Sequence, residues 1–121
     1  MIGRNYAESM ALMNAGKADV FVGDDAIIAA ERAGSPLRDK LAFLDETLST
    51  EPYGLMLPRD DPQFKKFVDE VLVDLMKSGE LARLYDKWFI NPIPPNGINL
   101  QMPMTEKLKA AIANPNDKPV N

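Results

Sequence analysis

Apolar residues recur along the chain with two rhythms, and the rhythms predict its elements. Met10 and Met13 stand three apart with Leu12 beside them, ahead of Asn14-Ala15-Gly16. This predicts a short helix over Tyr6 to Ala15 that stops at the glycine, the residue best able to adopt the left-handed closing conformation. Ala18-Asp19-Val20-Phe21-Val22-Gly23 follows, a β-branched and aromatic run without polar alternation. It reads as a strand covered on both faces, as in a parallel sheet. Asp24-Asp25 then leads into Ala26 to Gly34, a helix with an Asp cap and a Gly stop. Helix, strand, helix is the rhythm of an α/β fold.

Beyond the turn residues Ser35-Pro36, Leu41-Ala42-Phe43-Leu44 is a weaker strand candidate, and Tyr53 to Leu57, ended by Pro58, a better one. Asp60-Asp61-Pro62 precedes apolar positions 64, 67, 68, 71, 72, 75 and 76. That spacing defines an amphipathic helix with an Asp cap and proline in its first turn, closed by Ser78-Gly79. A second helix places Leu81, Leu84, Tyr85, Trp88 and Phe89 on one face, so Tyr85 and Trp88 are core residues before they are ligand-stacking ones. Asn91-Pro92-Ile93-Pro94-Pro95-Asn96-Gly97 is a proline-stiffened strap. A last helix, Met104 to Ala113 with Thr105 as its cap, precedes a loose tail from Asn114.

Composition narrows the chemistry. The 121 residues contain no Cys and no His, which excludes disulfides, thiol nucleophiles, Ser-His triads and zinc sites built on imidazole or thiolate. No catalytic residues, metal or cofactor are expected. With 14 Lys+Arg against 18 Asp+Glu, interspersed for a net charge of −4, the chain lacks the basic stripe of a nucleic-acid groove. No apolar run reaches the ~20 residues that span a bilayer. The start, Met1-Ile2-Gly3-Arg4-Asn5, has no secretory apolar stretch, so no signal peptide is expected in this chain.

The most suggestive local feature is the acidic pair at the end of the first strand candidate. Ligands of open α/β sheets gather at the carboxyl ends of strands, where a carboxylate can meet a cation. Helix capping is the plainer role for either residue, and both hold if Asp25 caps while Asp24 faces a cleft. An Mg²⁺-binding receiver domain would need a further aspartate and a lysine in an order this chain does not offer. Asp60-Asp61 is explained by the helix start it precedes. The methionines, without His or Cys partners, are core fillers rather than a soft-metal site. Tyr6 and Ser9 are polar enough to touch a ligand, though surface positions suffice to explain them.

Several stretches together resemble a known family. Arg59-Asp60-Asp61-Pro62-Gln63-Phe64-Lys65-Lys66, Ser78-Gly79-Glu80 and Tyr85-Asp86-Lys87-Trp88-Phe89 are similar to the carboxyl-terminal end of family 3 periplasmic solute-binding proteins, the amino-acid receptors of ABC importers. The strap Asn91-Pro92-Ile93-Pro94-Pro95 and the ending Asn114 to Asn121 look like the glutamate/aspartate-binding branch. Gly16 to Asp25, Glu31-Arg32-Ala33 and Glu51 to Leu57 match in order and spacing.

The resemblance implies a partial two-lobed α/β fold: residues 1–49 as the end of the second lobe, 50–57 as a returning hinge strand, and 58–121 completing the first lobe. It implies a truncated chain or gene, lacking the arginine that pairs with the ligand's α-carboxylate. Asp24 matches the aspartate that receives the ligand's α-ammonium group, a charge-assisted bond favoured in a closed cleft. Tyr6 stands where this branch usually carries His near the ligand's side chain, and a phenol supplies no positive charge. Ser9 is a weaker contact candidate. The implied parent is a periplasmic, non-enzymatic receptor for a polar or acidic amino acid, which closes about its hinge and is presented to a membrane permease. The alternative is a self-associating structural fragment without ligand function. The isolated chain is expected to bind no ligand tightly and to form homo-oligomers, because its apolar faces exceed what three short strands can cover.

Overall fold

Side-chain caps from Asn5, Asp61 and Thr105 fix the starts of three of the helices. The computed structural model describes residues 3–118, in the order α1 (Tyr6–Asn14), α2 (Asp25–Gly34), a single 3₁₀ turn (Arg38–Lys40), α3 (Pro62–Lys77), α4 (Glu80–Tyr85) and α5 (Glu106–Ala113). Beyond α4 the chain continues through a wider π-helical turn, Asp86–Ile90. None of these helices is long and apolar enough to cross a membrane.

Two compact units are present, one holding residues up to Phe43 with Lys87–Pro103, the other Leu44–Asp86 with residues from Met104 on. In the first, α1 packs on α2, and the buried residues of the two helices are Met10 and Ala29. Helix α1 closes as its sequence predicts. Gly16 takes φ +68°, its N–H donates to Met13 O, and the Lys17 N–H reaches back to Leu12 O, satisfying two carbonyls that the helix end would orphan. The strap folds into a closed turn in which Ile93 N–H donates to Ile98 O and Gly97 N–H to Ile93 O, while Met102 N–H bonds Phe89 O.

In the second unit α3 packs on α4 and α5. Asp61 Oδ1 accepts from the Phe64 N–H at 2.9 Å, with Pro62 in the first helical turn where its missing N–H costs nothing. Thr105 caps α5 by accepting from Leu108 N–H. Lys107 Nζ donates to Thr50 Oγ1 at 3.0 Å, tying the segment before α3 to the last helix.

The expected strands are not formed. Among the described residues there is no named strand, only an isolated antiparallel bridge between Ile93 and Ile98. The stretches 18–23, 41–44 and 53–57, the last being the expected hinge strand, run as irregular chain. A strand needs a neighbour to take its N–H and C=O groups, and hydrophobic side chains cannot supply one. These stretches leave most of their side chains in solvent: Val22 is 64% exposed and Met56 98%. A helix-rich chain with unladdered strand sequences is compatible with a piece of an α/β fold. Helix α3 keeps its amphipathic register, yet Phe64, Phe67 and Val71 on its apolar face remain exposed.

Candidate functional site

The site begins with the cap of α1. Asn5 has extended backbone and its Oδ1 accepts from the Glu8 N–H at 2.8 Å, while the Glu8 carboxylate accepts from the Arg4 backbone N–H and is paired with the Arg4 guanidinium. This reciprocal arrangement resembles a capping box shifted by one residue. The Arg4 side chain and backbone N–H hold the Glu8 carboxyl below its ordinary range. With the cap fixed, Tyr6 becomes the first residue of the helix.

Asp24 occupies the cap position of α2, with φ −62° and ψ 130°, but its side chain makes no bond to the helix N–H groups. Asp25 Oδ1 accepts from the Ala26 N–H instead, at 2.7 Å. The Asp24 carboxylate turns to α1, where Oδ2 accepts from the Tyr6 hydroxyl at 3.1 Å. Capping therefore does not account for the Asp24 side chain, and the structure brings together two of the three sequence candidates.

Ser9 is not brought to them through its hydroxyl. Its Oγ donates to the Asn5 backbone carbonyl at 3.1 Å, and it lies against Gly3, where an added Cβ would collide with the Ser9 Oγ. Ser9 is a local helix-start residue in this structure.

Two residues absent from the sequence candidates complete the cluster. Phe21 packs its ring against Tyr6 with centroids 5.8 Å apart and planes inclined by 54°. Gly23 makes the close approach possible: a Cβ there would stand 2.8 Å from Tyr6 Cε1. Their sequence signal is a glycine placed directly before the acidic pair with an aromatic two residues upstream, in a run whose β-branched residues also favour a strand.

With this geometry in place, comparison with known proteins defines the class. Residues 2–91 match the profile of the bacterial extracellular solute-binding proteins, family 3, and the chain belongs to that family. It is 39% identical over 118 residues to the glutamate/aspartate import solute-binding protein of Escherichia coli K12, covering 98% of this chain and 39% of that protein. It is 42% identical over 115 residues to the L-glutamate/L-aspartate-binding protein of Pseudomonas aeruginosa, covering 95% of this chain and 38% of that one. A Salmonella typhimurium glutamate/aspartate import protein is 37% identical over 118 residues. The chain thus spans about two fifths of the length of these relatives. As a member of a solute-binding family it is not an enzyme.

Proposed function

We propose that this chain is a carboxyl-terminal portion of the periplasmic receptor of an amino-acid ABC importer, with parts of two lobes, and that Asp24 receives the α-ammonium group of the ligand. One observation carries the assignment of Asp24. Its carboxylate sits at a helix cap position without capping, and is held instead by Tyr6. An ionised carboxylate accepts several hydrogen bonds, so one phenol leaves room for an ammonium group. Kinship with proteins named for glutamate and aspartate import supports an amino acid as the solute. The partner of the whole receptor is a membrane permease.

One carboxylate cannot hold a zwitterion tightly, so this chain alone binds amino acids only weakly. Calorimetry with glutamate, aspartate, glutamine and asparagine is expected to give no micromolar isotherm. Amide NMR shifts near Asp24 are expected to saturate only at about millimolar ligand, which corresponds to roughly 4 kcal/mol. Those shifts should vanish in Asp24→Ala. Micromolar binding that survives this substitution would refute both the site and the reading as a portion of a receptor.

A second reading, self-association without ligand function, is favoured by the exposure of Val22, Leu48 and Met56 on stretches without ladder partners. The two readings coexist if copies supply one another's missing neighbours.

A further inference from the structure

We infer that a cleft at the carboxyl end of α2 binds a small oxyanion, a carboxylate or phosphate group gripped by Arg32 and Arg38. The cleft has a volume of about 310 Å³ and lies within the first compact unit, between the end of α2 with its following 3₁₀ turn and the return of the strap, residues 96–101. Arg32, Arg38 and Asp39 line it on the helix side, and Asn96, Asn99 and Gln101 on the strap side. No residue from 89 to 105 is charged, so the strap brings carboxamides and backbone but no counter-ion. Two guanidinium groups therefore face one carboxylate, on a chain whose net charge is −4. A concave surface with that local excess draws in an anion.

Arg32 is positioned before any ligand arrives. Its Nε donates to the Leu41 carbonyl at 2.8 Å, and its guanidinium carbon lies 5.9 Å from the centre of the Phe43 ring. A carbonyl leaves the positive charge standing, and among the described residues no carboxylate pairs with this arginine. A guanidinium has five N–H donors, so one bond to Leu41 leaves a fork for an oxyanion.

In the last turn of α2, Arg32 also offsets the negative end of the helix, and that role alone would explain a cation there. Arg38 has no such explanation. It stands beyond the helix, 65% exposed, with Asp39 3.7 Å away, outside hydrogen-bond length. The strap side is braced against collapse onto the arginines. Leu100 is buried, Asn99 Nδ2 donates to Ile90 O at 2.5 Å, and Asn99 Oδ1 accepts from the Gln101 N–H at 2.8 Å. These bonds hold Gln101 at φ +52°, a left-handed conformation that residues other than glycine seldom adopt. Asp24 precedes the opposite end of α2, about 12 Å away along the helix. The oxyanion site is thus separate from the proposed ammonium contact and goes beyond the receptor reading without resting on it.

The test titrates the full chain with sodium phosphate and with sodium acetate, each against sodium chloride at equal ionic strength, and follows the amide shifts. The amides of Arg38 and of residues 96–101 are expected to move and to saturate in the millimolar range with at least one of the two oxyanions, but not with chloride. Arg38→Gln removes one cation from an exposed position and should raise the midpoint severalfold. Asp39→Asn removes the opposing charge at nearly constant shape and should lower it severalfold. Saturation with acetate alone, with phosphate alone or with both supports the inference and identifies the oxyanion that the site accepts. Shifts that chloride reproduces, shifts that never saturate, or a midpoint that Arg38→Gln leaves unchanged would each overturn it. Such a failure leaves the receptor reading standing, because Asp24 takes no part in this site.

Discussion

The Tyr6 hydroxyl donates to Asp24 Oδ2 at 3.1 Å, joining the first residue of α1 to the residue that precedes α2, eighteen positions along the chain. Neither group is deeply buried, so the bond contributes modestly to stability, at most about 1 kcal/mol. Tyr6→Phe should lower the urea midpoint slightly and leave the far-ultraviolet circular dichroism unchanged. The Asp24 carboxyl carbon shift should respond strongly. A Phe variant whose Asp24 resonance does not move would show that the bond is not maintained in solution.

Gly23 is expected to be intolerant of even one methyl group. Its φ lies outside the left-handed region, so Gly23→Ala meets no backbone obstacle, and the effect comes from the 2.8 Å approach to Tyr6 Cε1. The ring must shift by several tenths of an ångström. Nuclear Overhauser contacts between Tyr6 and Phe21 should weaken, and the Asp24 resonance should move as it does in Tyr6→Phe.

Helix α3 depends on its cap. Asp61→Ala removes the acceptor for the Phe64 N–H and should cost about 1 kcal/mol, with fraying of the first turn measurable as faster amide exchange at residues 63–66. Asp61→Asn, which keeps an acceptor oxygen, should recover most of the loss.

One contact of the second unit should respond to pH at both extremes. Hydrogen bonding to Asp69 and then to Asp117 raises the Lys65 pKa above 10.5, and the bond from Lys65 lowers that of Asp117 below 3.8. The Asp117 contribution is complete above its unfolded pKa and is lost as pH falls through the lowered folded value. The Lys65 contribution is complete below its unfolded pKa and is lost as pH rises through the raised folded value. The Lys65–Asp117 contact at 3.2 Å should therefore persist across the neutral range and open only in strong acid or strong alkali. Both groups are open to solvent, so chemical-shift titration of Asp117 is the readout, and salt should weaken the effect.

Exposed apolar side chains predict the chain's behaviour in solution. Leu48 at 84% and Met56 at 98% exposure lie on irregular chain, and Phe67 on α3 is 61% exposed. Light scattering during size-exclusion chromatography should report concentration-dependent association. Leu48→Lys with Met56→Lys should reduce it. A compact monomer across the micromolar range would remove the self-association reading.

The helices were legible because their determinants are local. Asp61-Pro62 and the apolar register from Phe64 to Met76 lie within a few residues of the bonds they dictate, and Gly16 closes α1 by its own backbone freedom. The strands were not legible as formed elements. Val20, Phe21 and Val22 state a preference that only a neighbouring strand can satisfy, and no stretch of this chain provides that neighbour among the described residues. At the site, the acidic pair stood out by its position, whereas the roles of Phe21 and Gly23 depend on the ring of Tyr6, fifteen and more residues upstream. Ser9 looked equally available in sequence. Its hydroxyl is claimed by the Asn5 carbonyl one turn away, a competition that the sequence does not display.

Ala29, 1% exposed on α2, acts as a gauge for the site although it carries no chemistry. Its burial leaves no room for a larger side chain, so enlarging it to isoleucine would cost about 1–3 kcal/mol in overpacking. Asp24 directly precedes α2 and meets Tyr6 of α1 at 3.1 Å, so any shift of α2 that admits the added carbons would be read at the acid–phenol pair.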